Sequence, residues 1–216
     1  MTRLKDILLE NGSLTDATDG FDTATGTPVL DATSKLKGAN TILCDAVGDW
    51  GEEDVAASDT LYVSAYLKFS GLPASGQARI LRIFNGTDIL CSIYVTTAGA
   101  IQLRDTSNAQ IGSNSPITVT VNNPFRVGLR YTKGTGANGT LEAFAASGDD
   151  AFGAAFASTS THADTLQANR VRAGINTGST VCTLYMDNVR IDDTAMPGPD
   201  GAPPAGFAHS QGVIVG

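Results

Sequence analysis

Histidine and cysteine are scarce in this 216-residue chain, two of the first and three of the second. His162 and His209 leave little material for a metal site, and no Cys/His set has zinc spacing. A Ser-His-Asp triad would have to use His162, which sits in a Ser/Thr-rich stretch read as a solvated loop with no nucleophile elbow nearby. Cys44, Cys91 and Cys182 are odd in number, widely spaced and each set in an apolar run. That pattern predicts buried free thiols and no disulfide framework. Long apolar runs are missing as well. Nothing approaches the roughly 18 apolar residues of a membrane helix, and the opening MTRLKDILLENGS lacks the features of a secretory signal. The expectation is synthesis in a cytoplasm, with no membrane partner. Positive charge is in deficit, 14 Lys and Arg against 22 Asp and Glu, for a formal net charge of −8. That balance argues against a nucleic-acid partner.

What the chain does have is glycine, 24 residues of it, and short apolar runs separated by Ser, Thr, Ala and Gly. The stretch from Gln77 to Asp105 organises the rest. Asn85-Gly86 and Ala98-Gly99 divide it into three runs, and Asn-Gly between alternating runs is a hairpin signal because a primed turn needs positive φ at both central residues. Ile89, Cys91, Ile93 and Val95 share one face of the middle run, with Leu90, Ser92 and Tyr94 on the other. A period of two is that of a strand. Thr60–Phe69 and Phe125–Lys133 alternate equally clearly, Lys133–Gly139 reads as a turn into a partner at Thr140–Ala145, and further strands are expected at Asp6–Glu10, Thr41–Ala46, Thr118–Val121, Arg170–Asn176 and Val181–Asp192. Thr177-Gly178 reads as a hairpin turn between the last two. Trp50, Glu52, Glu53 and Asp54 read as an acidic loop, and Ala151–Phe156 as either a short helix or an edge strand. About a dozen strands with one greasy face each must pack as two sheets. The fold expected is all-β, a two-sheet antiparallel jelly-roll sandwich over residues 1–196. Leu61, Val63, Leu67, Phe69, Ile93, Val95, Phe125, Val127, Leu129, Val171, Ile175 and Val189 are its expected core. Residues 197–216, rich in Pro and Gly, read as an extended arm in which Phe207, Val213, Ile214 and Val215 dock on a partner.

Taken together, LLENG near the start, LKGANTIL, SDTLYVSAYLKFSGLP and the closing LYMDNVRIDDTAMPGP resemble the concanavalin A-like, or laminin-G-like, jelly-roll group, and in particular its versions from tailed bacteriophages of actinobacteria. The resemblance covers roughly Leu8 to Pro199. It implies that the first strand pairs near the last. It also implies a virion protein assembled in the host cytoplasm, most simply a minor tail protein of the tail tip or surface, with other virion proteins and copies of itself as partners. A capsid decoration protein and a stand-alone carbohydrate-binding module are the alternatives.

Glycosidases on this scaffold carry a Glu-x-Asp-x-x-Glu strand that sets two carboxyl groups about 5 Å apart. No such spacing occurs here, so a non-enzymatic protein is expected. Asp16, Asp19 and Asp22 offer oxygens to a calcium ion, but their spacing is not that of an EF-hand and turns collect Asp anyway. No metal or cofactor is expected. Asn11, Asn85 and Asn138 begin glycosylation sequons that read better as Asn-Gly turns. The remaining candidate is a binding face for a host cell-surface glycan, formed by Tyr62, Tyr66, Lys68, Arg82, Arg104, Arg126 and Arg130, where rings stack on sugars and guanidinium forks bind hydroxyls or carboxylates. The plainer reading of the same residues is a subunit interface, since Tyr and Arg are enriched there too.

Overall fold

The computed structural model describes residues 4–176 and 179–199. It contains fifteen strands and, among the described residues, no helix. In chain order they are β1 (Lys5–Ile7), β2 (Thr23–Thr25), β3 (Val29–Asp31), β4 (Thr41–Cys44), β5 (Trp50–Ser58), β6 (Thr60–Gly71), β7 (Gln77–Asn85), β8 (Asp88–Thr96), β9 (Ile101–Arg104), β10 (Gln110–Ile111), β11 (Phe125–Thr132), β12 (Gly139–Ser147), β13 (Ala157–His162), β14 (Ala168–Gly174) and β15 (Thr183–Asp192). They form two antiparallel sheets. The eight-stranded sheet runs β13-β12-β11-β6-β15-β4-β3, with β1 also on β15, and the seven-stranded sheet runs β10-β9-β8-β7-β14-β5-β2.

The inward faces supply one core, and every residue expected there is 3% exposed or less. Alternation explains it: in β6, Leu61, Val63, Ala65, Leu67 and Phe69 all point at the other sheet, as do Cys91, Ile93 and Val95 in β8. The meander β7-β8-β9 has its second turn where expected, while the first is shifted by one residue. Asn85 ends β7 opposite Asp88, so Gly86 and Thr87 form the turn and Asn85 is not at positive φ. Gly86 and Gly99 have φ of +54° and +75°, and a side chain at Gly99 would meet the Val119 carbonyl oxygen at 2.2 Å. β1 pairs antiparallel with the end of β15, Lys5 opposite Ile191. β4 pairs with the start of β15, and the two partners are divided by an irregularity at Asp187–Asn188, where Asn188 takes φ +45°.

Four further local expectations are corrected. The acidic loop is a strand, β5, because Trp50, Glu52 and Asp54 alternate with Gly51, Glu53 and Val55 and the acids find cations, as described below. β14 and β15 are not a hairpin: β14 pairs with β5 and β7 in one sheet and β15 with β6, β4 and β1 in the other, and the expected turn at 177–178 lies outside the described residues. Thr118 makes a single bridge to Ala100 and no strand. His162 ends a strand, its side chain 8% exposed and edge-on to the Tyr131 ring at 6.2 Å, so it is no solvated loop residue. The arm's docking residues Phe207, Val213, Ile214 and Val215 lie outside the described residues. The three cysteines are free and buried. Burial pushes the Cys44 and Cys182 thiols up to about 12 and Cys91 higher still.

Candidate functional site

The binding face expected from the sequence is divided between two opposite surfaces. Tyr62, Tyr66, Lys68, Arg126 and Arg130 lie on the outside of the eight-stranded sheet, on β6 and β11. Arg82 and Arg104 lie on the outside of the seven-stranded sheet, on β7 and β9. Alternation shows which side of a strand a residue takes; it does not show which sheet the strand joins.

The chain's own loops occupy the first surface. Arg126 is 0% exposed: its guanidinium stacks on Phe152 at 4.1 Å and donates to the Asp150 carbonyl at 2.9 Å. The Tyr66 hydroxyl donates to Asp149 Oδ1 at 2.8 Å, and Lys37 pairs with the same carboxylate. Beneath that loop, Gly128 leaves room for Met196 and Phe152, since a Cβ there would lie 2.8 Å from the Met196 sulfur. Lys68 sits over the Tyr185 ring at 4.5 Å and donates to the Ser34 carbonyl, and Arg130 pairs with Glu142 at 2.8 Å while covering Tyr62. Asp187, also on this side, accepts from the Lys37 and Asn188 amides at 2.9 and 2.7 Å and from the Thr41 hydroxyl at 3.2 Å. Burial outweighs these bonds and pushes its carboxyl up to about 7. These are packing roles.

The second surface is different. Register across the strands sets Glu52, Arg172, Arg82, Ser92, Arg104 and Gln110 in one row, with Arg79, Tyr94 and Gln102 in a second and Asp54, Arg170 and Phe84 in a third. At the β5 end the cations are compensated. Glu52 accepts from Arg172 at 2.5 Å, Asp54 from Arg170 at 2.5 Å, and the Arg172 guanidinium stacks on Trp50 at 4.5 Å and Phe84 at 4.8 Å. Gly174, at φ +126°, lets this strand pass Trp50: a Cβ would lie 2.6 Å from the Trp50 Cα.

At the β9 end, cations surround a phenol. The Arg79 and Arg104 guanidinium groups lie 5.3 and 4.9 Å from the centre of the Tyr94 ring. Arg104 donates to three neutral oxygens, the Asn108 carbonyl at 2.9 Å, Gln102 Oε1 at 2.8 Å and Gln77 Oε1 at 3.0 Å. Arg82 is 3% exposed, and burial first and the charge of Arg79 next push its guanidinium below the usual range, a hydrogen bond with Tyr94 opposing them. Among the described residues neither Arg82 nor Arg104 meets a carboxylate, and the buried Nε of each has no acceptor. A buried guanidinium such as that of Arg82, with no anion beside it, is costly to a fold. In a chain of net charge −8, local chain composition does not account for it. A cluster of guanidinium groups without an anion of its own is suited to an incoming carboxylate, which guanidinium forks bind in bidentate fashion.

Sequence reasoning passed over Arg79, Arg172, Trp50 and Tyr94. The signal was present in Asn169-Arg-Val-Arg-Ala, where arginines alternate with core residues as strictly as in any recognised strand. The three aspartates proposed for calcium do not converge on an ion: Asp16 accepts from the Thr18 and Asp19 amides, Asp19 from Asn11, and Asp22 from Asp54.

No protein-family model matches the sequence, and no curated protein matches it. Solved structures do share the fold. An endo-β-1,4-glucuronan lyase from the fungus Trichoderma reesei superposes with a TM-score of 0.60 at 13% identity, over 89% of this chain and 96% of its own. A marine alginate lyase from Aplysia kurodai gives 0.65 at 10% identity, over 91% and 100%. The botulinum neurotoxin serotype D binding domain gives 0.57 at 11%, over 89% of this chain and 48% of the other. The chain is therefore a jelly-roll β-sandwich, as expected. The expectation of a non-enzymatic virion protein is contradicted by this company, since polysaccharide lyases share the fold over nearly the whole chain and none of these three is a virion component. The physical reason is specific. The missing Glu-x-Asp-x-x-Glu spacing bears only on hydrolysis between two acids and says nothing about elimination, which needs neither.

Proposed function

We propose that this protein cleaves an acidic polysaccharide by β-elimination on the outer face of the seven-stranded sheet. The observation that carries the reading is the set of arginines around Tyr94, of which the buried Arg82 and the half-buried Arg104 meet no carboxylate among the described residues. A uronate unit supplies that carboxylate. Once its charge is neutralised by guanidinium donors, the proton on the adjacent C5 becomes acidic enough to leave, because the developing enediolate is held by the same donors. The C5–H electron pair then forms the C4–C5 double bond, the bond from C4 to the glycosidic oxygen breaks, and that oxygen takes up a proton. No water is consumed. Tyr94 is the only tyrosine on this face among the described residues, and its hydroxyl is assigned both transfers: its oxygen takes the C5 proton as its own proton passes to the glycosidic oxygen, which leaves the phenol neutral. The fold shared with lyases of glucuronan and alginate supports the reading.

The test is incubation of the purified protein with polyglucuronate, alginate and polygalacturonate while following the ultraviolet absorbance of the new double bond. Turnover on at least one polymer, abolished by Tyr94→Phe, is expected. Binding of none of them, or turnover unaffected by Tyr94→Phe, overturns the proposal.

A further inference from the structure

The geometry points to Asn108 as the positioning residue that holds Tyr94 and Arg104 in register, an inference that rests on the function proposed above. Asn108 lies in the turn between β9 and β10, a turn braced by Asp105. Asp105 Oδ1 accepts from the Ala109 amide at 2.9 Å and the Ser107 hydroxyl at 2.8 Å, and the Asp105 carbonyl accepts from the Asn108 amide at 3.0 Å. Within this frame Asn108 takes φ +68°, the left-handed region. Its two oxygens then face two different groups of the site. The side-chain oxygen accepts the Tyr94 hydroxyl proton, and the main-chain oxygen accepts from Arg104 Nη1 at 2.9 Å.

Glycine would make this turn at lower conformational cost, because it reaches positive φ without a Cβ clash. What asparagine adds is the carboxamide on Tyr94. That contact fixes the hydroxyl rotor and directs its remaining lone pairs away from Asn108, while the Arg79 and Arg104 guanidinium groups lie against the ring. One turn residue thereby orients both the proton carrier and a carboxylate-binding donor. Orientation of this kind is worth a large part of a rate when the reacting atoms must meet within a few tenths of an ångström.

Two substitutions in the full chain separate the two oxygens. Asn108→Gly keeps the backbone and the carbonyl that holds Arg104, and removes only the Tyr94 contact. It is expected to lower kcat about tenfold or more while KM and the polyuronate Kd stay within about twofold. Asn108→Asp keeps an acceptor for Tyr94 but sets an anion beside Arg104, so Kd and KM are expected to rise. The NMR signal of the Tyr94 ring in tyrosine-labelled protein is read without substrate. It should show a freed ring in Asn108→Gly and a fixed one in Asn108→Asp. An unchanged ring signal in Asn108→Gly, or kcat unchanged there, overturns the assignment. If the wild type binds polyuronate without cleaving it, the elimination reading fails by itself, and the ring signal and Kd still decide the role of Asn108.

Discussion

On the outside of the eight-stranded sheet, Arg126, Tyr66 and Lys37 converge on Asp149 and the Asp150 carbonyl; on the outside of the seven-stranded sheet, Arg82 and Arg104 converge with Arg79 on Tyr94, and among the described residues the first two meet no carboxylate. Residue types are nearly identical on the two faces. Unpartnered Nε atoms occur on both faces, but on the first Lys37 and Arg130 meet carboxylates and the chain's own loops roof Arg126, whereas on the second Arg82 and Arg104 meet no carboxylate among the described residues. Composition of a face is therefore a poor guide to its role, and charge balance at the level of individual partners is a better one.

The largest expected effect belongs to the covered face. The Asp187 carboxyl is raised from its ordinary 3.8 to about 7, so the fold favours its neutral form. The associated stability is fully present below about pH 4 and is lost as pH rises through 7, roughly 4 kcal/mol at most for a shift of this size. Denaturant unfolding at a series of pH values should show this slope, and Asp187→Asn should flatten it. An unchanged slope in the variant would mean another group titrates. Next, Arg126→Ala should destabilise by about 2–4 kcal/mol, through lost packing against Phe152 and an unanswered Asp150 carbonyl, and should leave polyuronate binding intact.

Arg82→Met sharpens the contrast. Removing an uncompensated buried cation should leave stability unchanged or raise it by up to about 1 kcal/mol. Polyuronate affinity should fall about tenfold or more, the worth of a charge-assisted bond. If Arg82→Met destabilised as much as Arg126→Ala, the two faces would be equivalent and the comparison would fail. The smallest effect is expected at Arg130→Gln, whose pairing with Glu142 is partly exposed, 31% on the arginine side and 25% on the glutamate side. Its loss should cost under about 1 kcal/mol, measurable as a slight shift of the denaturant midpoint.

Much of the fold was legible because side chains and backbone agree strand by strand. The alternation in Thr60–Phe69, Phe125–Lys133 and Ile89–Val95 fixes local structure without reference to the rest of the chain, and Gly86 marks the first hairpin to within one residue. Sheet membership is non-local, and there the reading broke down. Arg170–Asn176 and Val181–Asp192 are separated by a few turn-like residues yet enter different sheets. Trp50–Asp54 looked too acidic for a strand because the arginines that neutralise Glu52 and Asp54 lie more than a hundred residues away, at Arg172 and Arg170. The candidate site suffered for the same reason. Arg82 and Arg104 were picked out correctly as outward-facing, but nothing in the sequence joins them to Tyr94, whose neighbours are defined by the pairing of β7, β8 and β9.

The pairing of β1 with β15 has a consequence for the order of assembly. With Lys5 opposite Ile191 and the Leu4 amide donating to the Ile191 carbonyl at 3.0 Å, the first and last strands lie about one strand width apart, roughly 5 Å, although nearly the whole sandwich lies between them in the sequence. β1 pairs with β15 alone among the described strands, so it has no ladder to join until β15 is in place, and closing so long a loop is slow. The first of these strands to be made is thus among the last to lock.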